Sequence, residues 1–413
     1  MLRVLRHRDF GLLWLGQAVS FIGDGIYLVA IAWLVLDISN DASALALVGV
    51  AWTAPLVAAL LFSGVLSDRV ERRRLMILGD ALRLIGIGTI AVLTLADAVE
   101  LWQVVMLAVL VGLGEALFQP AFTAVVPDVV PHDELLQANA VRELFETIGF
   151  KFAGPALGGL LISVFGVGTA LAIDAGTFAV SIVFVALMAR QPPAREQAGS
   201  VRRDLAEGFA YVRAHAWLWA TLAGASLFLL CTFGPFEVLV PYIIKNELGG
   251  DAATFGTVMA VGGAGAIVAA LIVSRTGLPR RNVTFMWSAW AIAVAADIGL
   301  AVAGASWQMC VIAFFSMGLS TCGMLAWNTL MYTLVPTEML GRVTSFDWFV
   351  SLAFIPLSFA LTGPVAEWIG ARETLAAAGA LGMLTFFFLF VPGVRDPERR
   401  PLERDVVEMA DVR

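Results

Sequence analysis

The chain has 413 residues, 60% of them hydrophobic and 14% charged. A soluble domain needs about 25% charged residues to cover its surface, so lipid covers most of this one, in keeping with a mean hydropathy of +0.86. The net charge of −7 offers no basic surface for nucleic acid, and three cysteines in apolar runs (Cys231, Cys310, Cys322) argue against a disulfide framework.

A helix needs about 20 apolar residues to cross the hydrocarbon of a bilayer. Such runs are predicted at 11–36, 45–66, 74–95, 101–124, 138–164, 168–189, 217–244, 253–274, 281–302, 306–333, 343–366 and 372–392. Arg3, Arg6 and Arg8 lead straight into the first, which is too long for a signal-peptide core. That run carries Phe21-Ile-Gly-Asp-Gly25. The second ends on Gly64-Val-Leu-Ser-Asp-Arg-Val-Glu-Arg-Arg-Arg74, the third holds Asp80-Ala-Leu-Arg83, and the fourth holds Glu115 and closes on Pro120-Ala-Phe-Thr-Ala-Val-Val-Pro127 before Asp128. The fifth contains Arg142, Glu143, Glu146, Lys151 and Gly154-Pro-Ala-Leu-Gly-Gly159, and the sixth contains Asp174. A connection at 190–216 follows, where Leu205, Phe209 and Val212 share one helical face, the pattern of an amphipathic helix at a membrane interface. In the later runs Glu237 lies between Pro235 and Pro241, Asp297 sits in the ninth, and Trp327 and Asn328 lie in the tenth near Phe314, Phe315 and Met324.

Twelve spans put both termini on one side. Arg69, Arg72, Arg73, Arg74, Arg213, Arg275, Arg342 and Arg395 fall in connections on that side, whereas the other offers only Lys245 and Arg372. By the positive-inside rule the termini are cytoplasmic. The expected organisation is a six-helix bundle at 1–189, a cytoplasmic linker with its amphipathic helix at 190–216, a second six-helix bundle at 217–394 and a tail at 395–413. The halves echo each other at an offset of 209: Gly114 with Gly323, Thr123-Ala-Val-Val-Pro127 with Tyr332-Thr-Leu-Val-Pro336, and Gly154-Pro155 with Gly363-Pro364. Parallel repeats of this kind place a binding site between halves at mid-membrane. The fold class is thus an all-α membrane protein, twelve transmembrane helices in two pseudo-symmetric six-helix bundles.

The segment Gly64–Arg74 resembles the signature G-x-L-[AS]-D-R-x-G-R-[RK]-[RK] of major facilitator superfamily transporters, with Glu71 in place of the second glycine. Gly154-Pro-Ala-Leu-Gly-Gly159 resembles the G-P-x-x-G-G core of that superfamily's antiporter motif. The segments at 21–25, 80–83, 120–127 and 204–209 are similar to those of its drug and natural-product exporters, the macrolide efflux pumps and enterobactin exporters. The resemblance implies a conformational latch of Asp68, Arg69, Arg72 and Asp128 near Arg342, and an antiporter motif at Gly154, Pro155, Gly158 and Gly159. It also implies that the first and fourth helices line the cavity, so Asp24 and Glu115 lead the candidates for proton coupling, with Glu146, Lys151 and Asp174. Ionisable residues in the bilayer cost about 2.5–3.5 kcal/mol each, which makes each a functional candidate. At about 1.5 Å rise per residue, Asp24, Lys151 and Asp174 fall at similar depth, so Lys151 is expected to pair with Asp174 or Asp24. Asp24, Glu115, Glu237, Trp327 and Asn328 are the candidate substrate-contacting residues.

The function these features imply is proton-coupled export of hydrophobic or amphipathic compounds, multidrug efflux by alternating access. Alternatives are a dedicated exporter of one siderophore or other natural product, a lipid flippase, or a membrane sensor that transports nothing. No G-x-x-x-x-G-K-[ST] loop or Ser/His/Asp set occurs, so neither ATP-driven pumping nor an enzyme is expected. The expected partners are a small amphipathic substrate, protons and membrane lipid, with no cofactor and no nucleic acid. The expected state is a monomer in the bacterial inner membrane.

Overall fold

A computed structural model describes residues 2–131, 134–189 and 201–395 of the chain, and within these the side chains at 2, 3, 60–69, 136, 201–205, 337, 338 and 345 lie outside what is described. Arg3, Asp68, Arg69 and Leu205, named above, therefore fall outside the described side chains, as do residues 190–200 and 396–413 altogether.

The first half is built from α1 (Arg8–Ile38), α2 (Ala42–Arg69), α3 (Arg72–Leu95), α4 (Leu101–Val129), α5 (Leu135–Glu146), α6 (Gly154–Phe165) and α7 (Val167–Leu187). Between α5 and α6 the chain runs as a π-helix, Thr147–Ala153, so the three segments form one fifth span. α8 (Val201–Ala214) links the halves. The second half follows as α9 (Ala216–Asn246), α10 (Ala252–Thr276), α11 (Asn282–Val302), α12 (Ser306–Leu334), α13 (Thr337–Ala353), α14 (Ile355–Ile369) and α15 (Ala371–Leu384), with α13 and α14 together making the eleventh span. Among the described residues twelve helical stretches are long and apolar enough to cross a membrane, and a helix suits that task because it bonds its backbone N–H and C=O groups within its own segment.

Prolines account for both breaks. Pro155 has no N–H to give to the carbonyl of Lys151, and the turn before it widens to π spacing. The freed carbonyl lies against Gly263 of α10, where even one added methyl would collide with it. Pro356 sits at the start of α14 in the same way. The turn between α2 and α3 is made without glycine: Glu71 takes φ −52° and ψ 118°, and its carboxylate pairs with Arg74 at 2.9 Å.

The repeat is visible in the packing. In the first half α1 meets α7, α2 meets α4, and α3 meets both α4 and α7; in the second, α9 meets α15, α10 meets α12, and α11 meets both α12 and α15. The halves join where α6 packs on α10 and α14 on α2. Gly159 lies against Gly256 with the hypothetical Cβ 3.2 Å from its Cα, and Gly363 lies 2.8 Å by the same measure from the Cα of Ser43. Polar bonds fasten the halves at the end away from the termini. Lys245 reaches Asp37 (2.5 Å) and the Leu36 carbonyl (2.8 Å), Asn40 donates to Asn246 (2.8 Å), and Ser43 bonds Glu367.

α8 packs onto the second half. Val212 is buried in the core of the second half, Glu207 pairs with Arg342 at 2.7 Å, Gly208 lies against the Arg342 backbone, and Phe209 packs on Phe346 with ring centroids 5.8 Å apart.

Candidate functional site: a buried charge cluster in the first half

α1 is the most enclosed span, and its Gly-Asp-Gly sequence explains how it can carry a charge there. Gly23 lies directly against Thr177 and Asp174 of α7, and a Cβ at Gly25 would stand 2.7 Å from the Phe150 carbonyl, 2.8 Å from Gly154 Cα and 2.9 Å from Pro155 Cδ. The two glycines let α1 seat between the fifth and sixth spans, and Asp24 between them turns to α3. There Arg83 Nη1 lies 3.9 Å from Asp24 Oδ1.

Arg83 is the hub. It bonds Asp80, one turn earlier on α3, and its guanidinium lies between the rings of Phe118 (4.6 Å) and Phe178 (4.5 Å). A desolvated cation over an aromatic face gains about 2 kcal/mol. Gly114 makes room for the arginine stem: α3 and α4 cross at Gly79 and Gly114, and a Cβ on Gly114 would stand 2.9 Å from Arg83 Cγ. Asp80 also accepts from the Ser181 hydroxyl (2.7 Å), which in turn accepts from Gln17 (3.4 Å). Glu115, half-buried, accepts from the Trp52 indole at 2.9 Å. Gly112, one turn before Glu115, lies against the Trp52 backbone and brings α2 this close.

Exposure separates the members. The side chains of Asp80 and Arg83 are 0% and 6% exposed, whereas Asp24 keeps 31%. Asp174 is wholly buried, and its Oδ2 has no partner. Asp24 and half-buried Glu115 therefore form the cluster's accessible end, and Asp80 and Asp174 are its interior.

The expected pairing of Lys151 with Asp174 or Asp24 is not formed. Lys151 makes no ion pair among the described residues, and Arg83 supplies the cation beside Asp24. The depth count assumed a straight α-helix, and the π turn at Thr147–Ala153 breaks that register. Glu146 instead lies 3.8 Å from Arg142.

At the terminal end, Arg72 bonds both Asp128 and the Ala124 carbonyl, the latter at 2.7 Å, so two expected latch members meet. Arg342 holds Glu207 of α8. Among the antiporter-motif residues, Gly154 and Gly158 pack on α1, with Gly154 2.6 Å by hypothetical Cβ from Gly25 Cα and Gly158 3.1 Å from Ile26 Cα, whereas Gly159 packs on α10. The motif is a two-sided seam joining the fifth span to its own half and to the other.

In the second half, Glu237 is half-buried and makes no hydrogen bond or ion pair among the described residues. Asn328 is likewise half-buried. Trp327 is core, 6% exposed and packed on Trp217. Its indole donates to Asp347 at 3.1 Å, and Ser351 donates to the same carboxylate at 3.2 Å. Asp347, Trp52, Gln17 and Ser181 are site members that sequence reasoning missed. A buried Trp needs a partner for its N–H, and the four-residue step from Asp347 to Ser351 is the signal that could have pointed to the first. Asp297 is held by Ser316 at 2.6 Å.

A family model described as "Transmembrane secretion effector" matches residues 2–404. The multidrug efflux pump Tap of Mycolicibacterium fortuitum is 29% identical over 401 residues, covering 91% of this chain and 93% of that protein. Macrolide efflux protein A of Streptococcus pyogenes is 23% identical over 378 residues, covering 90% and 93%. Among solved structures, the nucleoside transporter NupG superposes with a TM-score of 0.67 at 16% identity, over 92% of this chain and 98% of that one.

Proposed function

The chain belongs to the transmembrane secretion effector family, within the major facilitator superfamily, and starting there we propose that it is a proton-driven exporter of bulky amphipathic compounds in a bacterial cytoplasmic membrane. As a member of that family it is a multi-pass membrane transporter and not an enzyme. The observation that carries the proposal is the charge balance around Arg83: one guanidinium bonds Asp80 and reaches Asp24, while Glu115 and Asp174 share the same bundle interior with no ion pair of their own among the described residues. Four ionised carboxyls around one cation in a low-dielectric interior repel one another strongly. The cluster can therefore change its proton occupancy, and Asp24 and Glu115, both half-buried, are the members that water and substrate can reach.

In the proposed cycle a proton enters from outside onto Asp24 or Glu115 and weakens the hold of Arg83 on Asp24. A cationic or amphipathic compound is displaced outward, and proton release to the cytoplasm restores the pair. Both termini are cytoplasmic in this reading, so Lys245–Asp37 and Asn40–Asn246 close the outer gate. The Arg72–Asp128 bond belongs to the inner one. The named activities of the relatives, multidrug and macrolide efflux, support a substrate of this kind.

The test uses purified protein in vesicles with an imposed pH gradient, comparing wild type with Asp24→Asn and Glu115→Gln across dyes, macrolides and siderophores. Substrate-linked proton movement lost in Asp24→Asn supports the reading. Normal gradient-driven export by both variants sinks it, and export confined to a siderophore would replace multidrug efflux with a dedicated exporter.

A further inference from the structure

α1 and α7 run antiparallel, and small residues bring them together. A Cβ on Gly16 would stand 3.3 Å from Ser181 Cα, and Gly23 lies directly on Thr177 and Asp174. Ser20 falls between these contacts on the same face of α1. A polar seam results, with Gln17, Ser20 and Asp24 on one helix and Ser181, Thr177 and Asp174 on the other.

Two buried groups in this seam are unanswered. Ser20 Oγ is 1% exposed and has no partner. Asp174 is 0% exposed, and its Oδ2 has none either. Its Oδ1 lies 3.5 Å from the Thr177 hydroxyl, but that hydroxyl has a single hydrogen, which goes to the Asp174 backbone carbonyl at 2.7 Å. The carboxyl group thus receives no donated hydrogen from any described side chain. The titratable groups that face it are Asp24 and Tyr27 from α1 and Arg83 from α3, and α6 contributes none. Arg83 is already committed to Asp80 and Asp24. An ionised carboxylate is badly matched to such surroundings. A neutral acid is better matched, because its O–H needs a single acceptor, and Thr177 Oγ1 lies 3.5 Å from Asp174 Oδ1.

We propose that Asp174 is a second proton-binding site, loaded in the conformation described here, which exchanges its proton with Asp24 along the α1–α7 seam. This rests on the proton-driven reading above and deepens it. The accessible side of Asp24 meets the transported compound, while its buried side meets a stored proton, so two protons rather than one move per cycle. The proton balance closes over one cycle: two protons enter from the outside, one held on Asp24 and one passed through Asp24 to Asp174, and both leave to the cytoplasm as the bundle reopens.

Two measurements test this on the full-length protein, with ethidium as the transported probe. Infrared difference spectra should show a protonated-carboxyl band in wild type that shifts on ethidium addition and is missing in Asp174→Asn. In vesicles, protons moved per ethidium exported should fall about twofold in Asp174→Asn. A band and a proton ratio unchanged in Asp174→Asn would overturn the assignment. If Asp174→Asn fails to fold, Thr177→Val serves instead: it removes the nearest acceptor, so the band should move to higher frequency, and an unmoved band overturns the proposal. The outcomes separate the two readings. Normal coupling in Asp24→Asn defeats the proton-driven reading itself, whereas coupling lost in Asp24→Asn but unaltered in Asp174→Asn defeats only this inference.

Discussion

Replacing Arg83 by Met isolates the energetics of the cluster. Methionine nearly refills the space between Phe118 and Phe178, so the volume change itself costs little, less than about 1.5 kcal/mol for a well-tolerated swap. The loss comes from two other sources. Asp80, 0% exposed, is stranded without its cation, and breaking a buried ion pair from one side costs about 3–5 kcal/mol. The guanidinium also gives up two aromatic faces at 4.6 and 4.5 Å, worth about 0.5–2 kcal/mol. Arg83→Met should therefore unfold in mixed micelles with a stability about 4 kcal/mol below wild type. The double variant Asp80→Asn/Arg83→Met removes the stranded charge yet keeps an acceptor for Ser181. It should recover at least about 2 kcal/mol of that loss, a coupling that a double-mutant cycle reads directly. A single variant within about 1 kcal/mol of wild type, or a double variant no more stable than the single, would refute the view of Arg83 as a desolvated hub.

Three further outcomes follow from particular contacts. Gly25→Ala should cost about 1–3 kcal/mol, because backbone atoms of Phe150 and Gly154 cannot yield to the new methyl; Gly176→Ala, which meets nothing within 4 Å, should be neutral or stabilising, and thermal unfolding of the two side by side checks the difference. Lys245→Met removes the bond to Asp37, whose carboxylate is 48% exposed. The bond is worth about 0.2–1 kcal/mol at such an exposed site, so spin-label distances between positions 40 and 246 should show an open population raised by up to about fivefold. Asp251 caps α10 outside the membrane, and hydrogen bonds from the Thr254 side chain and backbone hold its carboxyl below the usual range. A lowered value means stability that is complete above about pH 4 and lost as pH falls through the folded-state value. Asp251→Ala should cost about 0.5–2 kcal/mol at neutral pH and abolish that acid-side loss in unfolding measured against pH.

The spans were legible because lipid imposes a length and a composition that few other contexts share. Twelve apolar runs became twelve spanning stretches with ends shifted by a few residues, and the face formed by Phe209 and Val212 became the docked α8. Contacts that depend on helix register were harder to read. Lys151 looked like the partner of Asp24 only while the fifth span was counted as a straight helix. Pro155 in the sequence implies a bend, but a bend alone does not say that the preceding turn widens to a π-helix. The ring of Trp327 suits a cavity wall, but its N–H needs an acceptor, and that need draws it into the core. Asp347, its partner, was hidden at the polar entry to a span, where an acid attracts no notice.

The repeat was legible further than the three glycine and proline matches taken from it. Gly25 and Gly234 also stand at an offset of 209, and each seats the first helix of its half on the fifth: Gly25 against Phe150 and Gly154, Gly234 against Ser358 and Thr362. Asn40 and Gly249 share the offset as well, and both take a positive φ, 50° and 63°, after the first helix of each half. These positions repeat because backbone approach and chain reversal are demanded twice by one architecture. Side-chain chemistry is not so bound. The room left by Gly114 is filled by the stem of Arg83, whereas the room left by its counterpart Gly323 is filled by the indole of Trp290. The same small-residue groove thus holds a cation in one half and an apolar ring in the other. A guanidinium in that place needs acids around it, and Asp24, Asp80, Glu115 and Asp174 are those acids. An indole needs none, which is why the second half can keep the helix pairings of the first without keeping its charge cluster.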